Sequence, residues 1–226
     1  MKLPDGTKKP SNMIEYVPSE FGTIFFYPDE LMDEKAWDKF IKKTESVARR
    51  SMELKSFIQY LKDELDMGHC HFFQNIDHAD ISVEIHHYPF GMYDLCDIIA
   101  RKRIINNEPF STFEVANEIV RIHYEKLVGL VPLSKTLHQL AHSGKLLIPV
   151  QTVFGDIKEF IVQYKRYIPN DLLLRIKAVL EVRPEEIVRI NNEVLQESIV
   201  FNPMIENDYK EEIVKLIEEK TNKGEE

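Results

Sequence analysis

The chain has 226 residues, 43% hydrophobic and 30% charged, with a formal net charge of −9. That length suits one large domain or two small ones, since a domain typically holds ~100–200 residues, and the balanced composition suits a soluble globular protein. The acidity excludes a chain that coats nucleic acid over its whole surface, because neutralising phosphates takes Lys and Arg; much of the acid sits in Glu206–Glu226, which leaves room for a local basic patch.

No stretch approaches the roughly 18 consecutive apolar residues that a bilayer crossing needs, so no membrane span is expected. Residues Met1–Asn12 are polar and carry no apolar run of signal-peptide type, and the expected location is the cytoplasm. The two cysteines, Cys70 and Cys96, stand outside any CxxC, which excludes a disulfide framework and a four-cysteine zinc site. Each reads as a small buried hydrophobe in a reducing interior.

In chain order, residues 1–19 read as an irregular arm and Gly22–Tyr27, β-branched and aromatic, as a short strand. Residues 33–65 read as two helices with a break near Arg49 and Arg50, or as one continuous helix. Their apolar positions are Trp37, Phe40 and Ile41, then Leu54, Phe57, Ile58, Leu61 and Leu65. Ile81–His87 (ISVEIHH) alternates as a strand does, and His71–Gln74 is the expected hairpin partner. Met92–Arg103 reads as a helix. Ser111 with Glu114 forms a capping-box signature that opens a helix running to about Lys126. Leu127–Leu133 (LVGLVPL) is an extended apolar run that Pro132 confines to a sheet edge. Ser134 is the expected N-cap of a short helix, Lys135–Ser143, that Gly144 ends. Beyond Pro149 the expected helices lie near 154–167, 170–181, 184–197 and 208–221.

Four histidines carry the chemistry. His86 and His87 are neighbours at a strand end, where side chains alternate between faces, so the pair can divide its work between a metal and another partner. His138 and His142 are spaced i, i+4 on a helix, which stacks both on one face within reach of one ion. Zinc metalloproteases use the same spacing with an acid between the histidines, but here the intervening residues are Gln139, Leu140 and Ala141, so that reading fails.

The segments EIHHYPF and GLVPLSKTLHQLAHSG together resemble the HNH (ββα-metal) nuclease family, over about a quarter of the chain. The resemblance implies an α+β fold with a ββα-metal core at 67–149, holding a helical insertion at about 92–127. An N-terminal arm and helical extension at 1–66 and a C-terminal helical extension at 150–226 would flank it. It implies His86, His138 and His142 as metal ligands and His87 as the general base of a metal-dependent endonuclease acting on nucleic acid, with DNA the expected partner. The cofactor would be a divalent ion (Zn, Ni, Mn or Mg), with imidazole donors suiting the first three better than Mg. The size and decorations suggest a phage or mobile element.

Two departures stand against the family pattern. Its central Asn falls on Gly129, nine residues before His138. The span from His87 to Gly129 is also much longer than the usual loop; Asn106, Asn107 or Asn117 would replace the missing Asn only if the insertion folds back. The alternative is therefore a catalytically inactive HNH-like protein that serves as a nucleic-acid- or protein-binding or structural module. His69, Cys70 and His71 form a second cluster, but it lacks the partner cysteines of a zinc knuckle. His78 and His123 read as surface or packing residues. Basic groups at Lys42–Lys55, Arg101–Arg103 and Lys158–Arg166 read as solvated helix faces able to meet phosphates.

Overall fold

The computed structural model describes residues 33–72, 82–108, 110–195 and 207–222; the Gly22–Tyr27 strand and His78 lie outside them. Among the described residues, nine α-helices accompany one two-stranded antiparallel sheet, so the α+β expectation holds. The chain groups into two compact units. Of the described residues, those within 33–54 and 92–121 form one and those within 55–91 and 122–222 the other, the boundaries falling inside α2 (Met52–Glu64) and α4 (Thr112–Tyr124).

The first unit is built on α1 (Glu34–Arg50) and α3 (Met92–Ile105), which pack together. Asp33 caps α1 by accepting from the Ala36 amide, and the buried Phe40, Ile41, Thr44 and Ala48 form its inward stripe. The helix ends at Arg50 and Ser51 turns the chain into α2, so the pair of helices is broken where the arginines suggested. Phe40 stacks on Phe110 with ring centroids 4.6 Å apart. Cys96 is fully buried and burial pushes its thiol pKa well up, as its reading as a hydrophobe requires. The buried Asp97 carboxylate is paired on both oxygens: Trp37 Nε1 donates to Oδ1 at 2.5 Å, and Arg101 Nε donates to Oδ2 at 2.7 Å.

In the second unit, β1 (Val83–His87) pairs antiparallel with β2 (Leu130–Ser134), with Ile85 opposite Pro132, His86 opposite Val131 and His87 opposite Leu130. β1 thus pairs with β2 and not with His71 or Phe72, the described part of the expected partner His71–Gln74; Phe73 and Gln74 lie outside the described residues. His71 meets the sheet from the side instead, its amide donating to the Pro132 carbonyl at 2.8 Å. The true partner lies more than forty residues further along the chain, and nothing local signals that pairing. Pro132 sits where Pro is tolerated, since both strands of a two-stranded sheet are edges.

Helix α5 (Lys135–His142) follows β2 directly and completes a ββα unit. Ser134 caps it, its Oγ accepting from the Leu137 amide, and Gly144 at φ +69° turns the chain away beyond it. Val131, Leu133 and Leu137 pack with Cys70, Phe72, Val83, Leu146 and Ile148 in one core cluster. Helices α6 (Ile157–Tyr164), α7 (Asn170–Leu180), α8 (Pro184–Leu195) and α9 (Asn207–Thr221) complete the unit. Among the described residues, no helix is long and apolar enough to cross a membrane.

Candidate metal centre

Strand alternation puts Glu84 and His86 on one face of β1, and the helical period puts His138 and His142 on one face of α5. The ββα unit brings these faces together. The His86 ring stands edge-on to His138 and His142, with centroids 4.9 and 4.8 Å away, and the His138 and His142 rings are 4.5 Å apart. One ligand atom from each of the three residues lies within 4.8 Å of the other two. Among the described residues no other group of histidines, cysteines and carboxylates meets that condition. The three ligands expected from the sequence therefore converge.

The donor chemistry fits a divalent cation. The Nε2 atoms of His138 and His142 are 3.1 Å apart. Two imidazole nitrogens bound to one tetrahedral zinc at ~2.0–2.1 Å would stand ~3.3–3.4 Å apart. His86 is buried, and its Nδ1 is shielded from solvent with no hydrogen-bond partner in the protein. An orphaned buried ring nitrogen of this kind is costly unless something satisfies it. Burial, helped by His138 and His142, pushes the His86 pKa down to about 4, so the ring is neutral and ready to ligate at neutral pH. His142 is exposed and His138 half-buried, so the cluster opens to solvent on the helix side.

The sequence does not assign Glu84 as an orienting carboxylate for His87; its Oε2 lies 2.5 Å from His138 Nδ1 instead. The signal was present: Glu84 is two residues before His86 and so shares its strand face. Only the packing of α5 on that face shows which ring the carboxylate meets.

His87 turns to the opposite side of the strand. It is buried, and its Nε2 is 2.9 Å from Nε2 of His123, which is fully buried with Phe57 edge-on to its ring at 5.9 Å. His123 is thus a packing residue, as expected, with a partner the sequence did not reveal. Cys70 also packs as expected: it is buried in the core cluster, and its sulfur accepts from the Ser134 amide at 3.3 Å. His69 pairs with Asp66 at 3.2 Å, and burial lowers the pKa of His71.

The position of the missing Asn is explained by sterics. A Cβ on Gly129 would lie 1.9 Å from the Tyr88 carbonyl oxygen and 3.0 Å from Ile157 Cγ1. The Gly129 carbonyl accepts from the Tyr88 amide at 3.0 Å, extending the sheet ladder. Glycine is here because two backbones touch, and no side chain fits.

A model of the bacteriophage G278-like virion proteins matches residues 6–224. The chain belongs to the bacteriophage G278-like virion protein family. No curated protein matches it, and no solved structure does. The phage origin suggested by the sequence agrees with this family. The endonuclease expectation does not: a virion-protein family spans nearly the whole chain, whereas the HNH motifs cover about a quarter of it and no comparison supports an HNH family. Nuclease and hydrolase activity are therefore set aside. The general-base role of His87 belonged to that reading and is not carried further.

Proposed function

We propose that this member of the virion-protein family is a structural component of a phage particle. In this reading a divalent metal ion, held by His86, His138 and His142, braces its ββα unit. The observation that carries the metal reading is the convergence of three imidazoles from β1 and α5, with ligand atoms within 4.8 Å of one another. Three neutral nitrogen donors favour Zn or Ni over Mg, which prefers oxygen. His86 and His138 are 52 positions apart in sequence, so one ion would close a long loop and pin the strand to the helix. Binding energy in such a site goes into folding, because the unfolded chain has no preformed site. That role suits a particle component, which must hold its shape without turning over a substrate. The chain would fold in the host cytoplasm, where its two free, buried cysteines are in keeping with reducing conditions.

The test has two arms. Gradient-purified particles should contain the chain, and chain purified in the presence of zinc should carry the ion through gel filtration. Absence of the chain from particles would overturn the structural role, and absence of metal would overturn the brace.

A further inference from the structure

We infer that Glu84 is the positioning residue of this centre, fixing the tautomer and orientation of His138 so that its Nε2 presents a lone pair to the ion. The inference rests on the metal reading above and deepens it. A carboxylate has only acceptors, so the contact of Glu84 Oε2 with His138 Nδ1 at 2.5 Å requires the proton on Nδ1, which donates. In the neutral ring, the form that can ligate a cation, Nε2 is then the unprotonated nitrogen. This is also the atom that stands 3.1 Å from His142 Nε2 and points into the cluster. The far nitrogen is thus held while the near one is freed, the arrangement in which a carboxylate raises the basicity of a metal-binding imidazole.

Other roles for Glu84 fit less well. The group whose atoms satisfy the ligand separations contains the three histidines and no carboxylate, so Glu84 acts through His138. No Lys or Arg is paired with it among the described residues; its side-chain partner is the His138 ring. Its side chain is 42% exposed, so Glu84 is not needed to fill the core.

Two measurements on the full chain test this. The first uses chelator-treated protein with ¹⁵N-labelled histidine. Long-range imidazole correlations should show His138 as the Nδ1–H tautomer in the wild type and a shift toward Nε2–H in Glu84→Ala. The second titrates Co(II), read by its visible ligand-field bands. Glu84→Ala should bind ~10–100-fold more weakly, the usual effect of losing such a carboxylate. Glu84→Gln keeps an acceptor oxygen and should recover most of the affinity. A merely structural role would lower the melting temperature of the metal-free protein but leave tautomer and band positions unchanged. Co(II) uptake with wild-type affinity in Glu84→Ala, or an unchanged tautomer, would overturn the positioning role alone. No Co(II) uptake by the wild type would overturn it together with the metal reading.

Discussion

His138 and His142 face each other across one turn of α5 with their Nε2 atoms 3.1 Å apart, and His86 closes the group from the neighbouring strand. In the proposed reading, a shared cation satisfies these three imidazoles, one of them buried with an orphaned nitrogen. If the ion binds only the folded chain, a free concentration of 100 times the dissociation constant adds about 2.7 kcal/mol of stability. For a chain of this size that corresponds to a melting shift of roughly 5–10 °C. Scanning calorimetry with and without chelator should show that difference in the wild type and none in His142→Ala.

The depressed pKa of His86 makes the metal-free protein acid-sensitive in a defined window. The folded value is about 4 and the ordinary value 6.5, so between these the unfolded chain binds the extra proton. The stability that neutral His86 contributes is complete above about pH 6.5 and is lost as pH falls toward 4. Between pH 7 and pH 5 the loss should be about 2 kcal/mol. Urea unfolding in chelator at both pH values reads it, and His86→Ala should show a smaller drop by that amount.

Gly129 is a packing position. Gly129→Ala must force apart backbones that leave 1.9 Å for a Cβ, which should cost about 3 kcal/mol or more. Gly129→Asn, which writes the HNH residue back into the sequence, should destabilise at least as much and should give no plasmid cleavage with any divalent ion. Chemical denaturation and a nicking assay read the two outcomes separately.

In the first unit, the side chain of Glu118 is 2% exposed and accepts from Lys102 at 2.8 Å, Arg103 at 2.9 Å and Arg121 at 3.3 Å. Burial lowers the Lys102 pKa, but Glu118 and Glu108 outweigh it and raise the value overall. Glu118→Ala would leave the half-buried Lys102 and Arg103 without their main counter-charge, a loss of about 3–5 kcal/mol. Removing an exposed carboxylate that makes no ion pair should cost under about 0.5 kcal/mol. Urea midpoints of Glu118→Ala and of Glu64→Ala, at an exposed position of α2, make the comparison.

The features legible in the sequence were those with short-range causes. The hydroxyls of Ser111 and Ser134 announced helix starts, and both accept the amide three residues on. The i, i+4 spacing of His138 and His142 announced a shared face, and the alternation around His86 announced a strand. What stayed hidden depends on chain segments that meet from far apart. The pairing of β1 with β2, the contact of His87 with His123 and the approach of Gly129 to Tyr88 each join residues more than thirty-five positions apart. The nuclease reading failed for a different reason. A strand and a helix that carry histidines at suitable positions can recur without a shared activity, because function belongs to a whole site and not to a local pattern.

The most direct test of the account is the metal content of the purified full-length chain, measured by plasma mass spectrometry after gel filtration with zinc supplied during expression. The account predicts close to one divalent ion per chain in the wild type and essentially none when His86 and His138 are both replaced by alanine. Wild-type protein that emerges folded and metal-free, or a double variant that keeps the ion, would contradict it.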